Sequence, residues 1–97
     1  MKLEEIQTNE SGTNFYYNGK KLFDKNFLEV LKFHSPGLAP VKDYSGWYHI
    51  NVHGVPLYKE RFERAFGFYF NRAAVVQDGS WFHIDTTGKR SCRKSYS

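Results

Sequence analysis

The sequence predicts a mainly β fold: tandem antiparallel hairpin repeats of about 34–35 residues, arranged as a meander-type sheet or partial solenoid. Three observations predict it. Two stretches, "WYHINVHG" from Trp47 and "WFHIDTTG" from Trp81, nearly duplicate each other, and their flanks align at the same spacing of 34 residues. Self-similarity at a fixed period is the signature of a repeat architecture. The apolar content is largely aromatic, with nine Phe, seven Tyr and two Trp against a single Met, and such side chains favour pleated, half-buried surfaces. Turn-forming dipeptides also punctuate the apolar runs, at Asn18-Gly19, Ser45-Gly46, His53-Gly54, Asp78-Gly79 and Thr87-Gly88.

The first unit, residues 3–37, is the faintest copy. Leu3 and Ile6 lie 35 residues before Leu38 and Val41, while Gly12, Asn14 and Phe15 take the tryptophan, histidine and isoleucine positions. Asn18-Gly19 takes the second-turn place that His53-Gly54 and Thr87-Gly88 hold in the later units, where glycine can adopt the positive φ a tight turn often needs. In the following segment, "KNFLEVLKFHS", Phe27, Val30, Leu31 and His34 fit helical spacing. Its counterpart "ERFERAFGFYF" alternates instead, with Phe62, Phe66, Phe68 and Phe70 two or four residues apart. Gly67 and Ser35-Pro36-Gly37 interrupt these segments, so short strands or turns are expected rather than long helices. The second unit, 38–71, and the third, 72–97, match at Ala39 and Ala73, Val41 and Val75, and Ile50 and Ile84. Tetratricopeptide repeats share the period, but they need two amphipathic helices per unit. A chain of 97 residues holds one domain with a modest core, here 1–97.

The runs "GLAPVKDYSGWYHINVHGVPLY" and "RAAVVQDGSWFHIDTTGKR", each beside an aromatic-rich segment such as "ERFERAF", resemble the WG repeats of bacterial proteins. The resemblance covers nearly the whole chain. It departs where Gly46 precedes Trp47, where Asn71-Arg72 replaces Gly-Leu, and at Gly12. What the resemblance implies is a β-rich tandem array used as an interaction scaffold, with no catalytic residues to carry over.

In strand alternation Trp47, His49 and Asn51 share one face, and Tyr48, Ile50 and Val52 share the other. The next copy sets Trp81, His83 and Asp85 against Phe82, Ile84 and Thr86. The apolar second face is expected to meet the core. Trp47, His49, Trp81 and His83 then either cover a neighbouring hairpin or form a partner-binding strip. Packing or hydrogen bonding is the expected role of His49 and His83, since a metal site needs three or four converging ligands. His34 and His53 have Tyr69 and Thr87 at the next-unit positions, so they extend no pattern. Asp43 and Asp78 flank turns, where aspartate commonly bonds the local backbone. Lys59 to Arg64 reads as a solvated charge run, and Cys92, although near Arg90 and Arg93, lacks a recognisable histidine partner. No enzyme, metal or cofactor is expected.

Of 14 Lys and Arg against 10 Asp and Glu, four cations crowd the tail: Lys89, Arg90, Arg93 and Lys94. They make nucleic-acid or polyanion binding the alternative to an unknown protein partner, with Tyr16, Tyr17, Tyr48 and Phe82 as stacking groups. The third unit looks incomplete, so self-association through an unpaired strand edge is a further expectation. No run is long and apolar enough to span a bilayer and no secretory h-region opens the chain. A cytoplasmic location is the expectation, with export lacking a cleaved signal as its alternative.

Overall fold

The structure, a computed structural model, describes residues 3–34 and 37–90. It is mainly β and antiparallel, as the sequence reading has it, with nine strands in three three-stranded sheets among the described residues. The sheets do not close into a barrel among the described residues. Among the described residues there is no α-helix, only one 3₁₀ turn at Leu3–Glu5, and no helix long and apolar enough to cross a membrane.

The first sheet contains β1 (Gln7–Thr8), β2 (Phe15–Tyr17) and β3 (Lys20–Lys21). Asn18 and Gly19 join β2 to β3 with φ of 54° and 76°, the left-handed pair a two-residue hairpin demands. The second sheet contains β4 (Glu29–Val30), β5 (Ala39–Asp43) and β6 (Gly46–Ile50), and the third β7 (Arg64–Tyr69), β8 (Arg72–Gln77) and β9 (Ser80–Ile84). The boundaries drawn at 37/38 and 71/72 therefore fall between the first and second strand of a sheet.

The registers of β5–β6 and β8–β9 coincide after a shift of 34 residues. Ala39↔Ile50 recurs as Ala73↔Ile84, Val41↔Tyr48 as Val75↔Phe82, and Lys42↔Trp47 as Val76↔Trp81. The loops that follow match as well. Asn51 Oδ1 accepts from the backbone N–H of His53 and Val55, and Asp85 Oδ1 from those of Thr87 and Lys89. Each loop then reaches its positive-φ glycine, Gly54 or Gly88.

Two sequence expectations are corrected. The β5–β6 turn residues are Tyr44 and Ser45, one position earlier than Ser45-Gly46. Gly46 already belongs to β6, with φ of 123°, and a Cβ there would lie 3.0 Å from the Phe62 carbonyl oxygen. That close approach of the next segment explains why glycine precedes Trp47. The even alternation of Phe62, Phe66, Phe68 and Phe70 also fails. A bulge between Ala65 and Phe68 adds a residue to β7 and reverses its inside–outside parity. Phe62, Ala65 and Phe68 are buried, Phe66 is half-buried, and Phe70 is exposed.

Backbone bonds tie the sheets together. Val30 N donates to Gly12 O at 2.7 Å and Phe27 N to Thr13 O at 2.9 Å, joining the first sheet to the second. Trp47 and Phe62 exchange a reciprocal pair at 2.8 and 2.9 Å, joining the second to the third. Phe15, Phe33, Val41, Trp47, Ile50, Phe68, Val75 and Ile84 belong to one continuous buried cluster. Burying each large side chain stabilises the fold by roughly 1.5–3 kcal/mol.

Candidate functional site

One position links the first and second sheets to the segments that follow them. In the first unit it holds Asn14, whose buried amide Nδ2 donates to Lys25 O at 2.9 Å and to Asn26 Oδ1 at 2.7 Å. In the second it holds His49, which is fully buried. Its Nε2 lies 2.7 Å from Phe66 O, and because a carbonyl only accepts, Nε2 carries the proton. The neutral ring then leaves Nδ1 as the acceptor for the Tyr58 hydroxyl. Burial pushes the His49 pKa down from its ordinary 6.5 to about 4, against the opposing bond to Phe66, so the ring stays neutral near pH 7. Burial likewise raises the Tyr58 hydroxyl above its usual range. Phe68 closes over the imidazole edge-on, with centroids 4.5 Å apart.

The third occurrence is His83, which is exposed and has no hydrogen-bond partner among the described residues. The tryptophans differ in the same way. Trp47 is 1% exposed and Trp81 is 64% exposed. They belong to one aromatic–cation column: the Arg64 guanidinium lies 5.0 Å from the Trp47 ring and 5.3 Å from Phe66, and Phe66 stacks on Trp81 at 5.2 Å and 14°. Among the described residues Trp81 is the open end of that column.

Beside it, Phe66, Gly67, Ala74 and His83 help to line a depression of about 270 Å³ rimmed by Tyr69, Phe70 and Arg72. Tyr69 and Phe70 are 76% and 83% exposed, and their rings meet edge-on at 4.7 Å. Phe70 and Asn71 form the β7–β8 turn with φ of 52° and 64°. A bulky residue seldom occupies this left-handed region, which costs about 1 kcal/mol. The turn thus holds an exposed phenylalanine in a strained conformation, a feature that concentrates at functional surfaces.

The expected Trp/His strip is therefore divided. Trp47 and His49 are interior and offer no surface to a partner, because β7 and the segment before it cover them. Trp81 and His83 lie on the outer face of the third sheet. Lys89 and Arg90 are exposed just after β9, with the Arg90 guanidinium 4.3 Å over the Phe82 ring. Arg93 and Lys94 lie outside the described residues, as does Cys92.

Sequence reasoning missed Phe66, Tyr69 and Phe70 as surface groups, and the only signal was Gly67 interrupting the aromatic run. It also missed a polar cluster. Asp43 Oδ2 accepts from Lys25 Nζ and from the Tyr48 hydroxyl, each at 2.7 Å, while Oδ1 accepts from Ser45 N at 2.8 Å. Burial pushes the Asp43 carboxyl up, but these donors outweigh it and hold the group well below the usual carboxylate range. With both oxygens occupied, Asp43 is a structural acceptor rather than a poised base. Among the described residues no group of three or more His, Cys, Asp or Glu is arranged to hold a metal. No family model, curated protein or solved structure matches the chain.

Proposed function

We propose that this chain is a non-catalytic protein-interaction or scaffold module of WG-like tandem repeats, part of a larger bacterial protein, with its contact surface on the outer face of the third sheet. One observation carries the reading. The position held by Asn14 and His49 recurs at His83; polypeptide seals the first two, and among the described residues the third is open, with Trp81, Phe66, Tyr69 and Phe70 around it. Rigid aromatic groups beside an arginine are the usual anchors of protein interfaces, because they bury much area for little loss of rotamer freedom. The recurrence of one register after 34 residues supports the repeat reading.

The test is a display selection of random peptides and protein fragments on the immobilised full-length chain, with Trp81→Ala as the counter-selecting variant. Ligands that bind the wild type and not the variant are expected. A selection whose ligands ignore Trp81 would overturn the assignment of the surface. Anisotropy of labelled oligonucleotides addresses the alternative: binding that falls steeply with salt and needs Lys89 and Arg90 would move the function to polyanions.

A further inference from the structure

Resting on that reading, we infer that the outer face of the third sheet binds an extended segment of a separate protein with the pattern Tyr-x-x-x-Phe-x-Arg. The chain itself contains the template. Tyr58 supplies the hydroxyl that His49 accepts, and Phe62, four residues on, makes the reciprocal backbone pair with Trp47. Arg64 lies over the Trp47 ring, and the carbonyl of Phe66 receives His49 Nε2–H. His83 and Trp81 stand in register with His49 and Trp47, as Ala74↔His83 and Val76↔Trp81 repeat Pro40↔His49 and Lys42↔Trp47. The open face thus presents a histidine, a strand edge and an indole at the same register positions.

A ligand of this pattern places its tyrosine hydroxyl on His83 Nδ1 and a carbonyl eight residues later on Nε2–H. Its phenylalanine pairs with the Trp81 backbone, adding a short strand pairing to β9. Its arginine then extends the column Trp47–Arg64–Phe66–Trp81 by one cation, and a guanidinium over indole is the strongest of the cation–aromatic pairings.

The occupant is a separate protein rather than a second copy of this chain. The one segment here with the full pattern, Tyr58 to Arg64, is already bound to the second sheet, and releasing it would uncover Trp47 and His49. The corresponding earlier segment has Phe23, Phe27 and Glu29, which lacks both the hydroxyl and the cation. In the chain's own continuation, Cys92 stands at the tyrosine position and Tyr96 at the phenylalanine position, so it too lacks that hydroxyl.

The experiment titrates the full chain into a labelled peptide with the sequence of residues 56–68 and follows anisotropy. Saturable one-to-one binding is expected, weakened about tenfold or more by Trp81→Ala and by His83→Leu in the protein. Tyrosine to phenylalanine in the peptide weakens it about fivefold, the equivalent of one lost hydrogen bond. Both protein substitutions are on the surface, and the emission of buried Trp47 in the Trp81→Ala chain, with far-ultraviolet dichroism for His83→Leu, reports that each still folds. Binding that ignores both substitutions overturns the inference. So does binding that emerges only in Tyr96→Ala, which would make the chain's own tail the occupant. A concentration-dependent dimer that Trp81→Ala dissolves and the peptide does not would put a second copy on the face, and overturns it equally. Display ligands that need Trp81 but lack the pattern would defeat this inference while leaving the interaction reading intact.

Discussion

His49 couples the fold to pH through a single buried ring. Its folded pKa of about 4 lies below the ordinary 6.5, so between those values the unfolded chain binds a proton that the folded chain refuses. Stability is therefore complete above about pH 6.5, falls as the pH drops through this window, and levels off below 4, with a total loss of about 3 kcal/mol. Asp43 acts lower on the scale, because its depressed carboxyl contributes stability that is lost only as pH falls below its ordinary 3.8. The thermal midpoint should thus drop between pH 7 and 4.5, and His49→Gln should flatten that drop while lowering the value at pH 7. An unchanged slope in the variant would assign the titration elsewhere. Gly88 is a second sensitive residue. A Cβ there would lie 2.6 Å from Tyr58 Cγ and 2.7 Å from its Cβ, at the root of the side chain where no rotamer relieves the clash. Gly88→Ala should cost about 2–4 kcal/mol, the sum of overpacking and left-handed strain. Gly19→Ala meets open space and should cost only about 1 kcal/mol. Chemical denaturation of the two variants checks the contrast.

Strands with nearly the same sequence differ here in what covers them. Trp47→Ala should cost about 3–5 kcal/mol, as large buried aromatics do. Trp81→Ala should cost about 1 kcal/mol, the scale of its stacking on Phe66. Equal costs in urea titrations would show that Trp81 is covered in solution. The turn at Phe70-Asn71 makes the reverse trade: Phe70→Gly should stabilise the fold by about 1 kcal/mol through relief of the positive φ. The same change should weaken ligands selected on the outer face, since it removes an exposed ring. The hairpins around Asn18-Gly19 and Asp78-Gly79, and the Asn51 and Asp85 loops, were legible because turn chemistry is local. The burial of Trp47 against the exposure of Trp81 was not. "WYHI" and "WFHI" present the same alternation, and the difference arises from a segment eleven or more residues downstream. The β7 bulge was equally hidden, since one inserted residue reverses parity from Ala65 to Phe68 and leaves only Gly67 as its mark.

Across the whole molecule the second sheet is the best supported. The first sheet meets it through Gly12 and Thr13, and the third through the Trp47–Phe62 pair and β7. Strands β5 and β6 are therefore buried on both faces, with Val41, Trp47, Tyr48, His49 and Ile50 almost wholly enclosed. The third sheet has long strands but, among the described residues, an open outer face. The first has only two or three residues per strand, and Tyr16, Lys20 and Lys21 are exposed. When stability is the sum of local sheets and their neighbouring joints, the ends open before the middle. Native-state hydrogen exchange should accordingly be slowest for amides bonded across β5–β6, intermediate across β8–β9, and fastest in β1–β3. Exchange slower in β8–β9 than in β5–β6 would mean that the outer face is already sealed, and the interaction surface would have to lie elsewhere. With the Tyr-x-x-x-Phe-x-Arg peptide at saturation, β8–β9 should approach the protection of β5–β6 while β1–β3 stays unchanged. The ligand would then supply to the third sheet the cover that β7 and its preceding segment supply to the second.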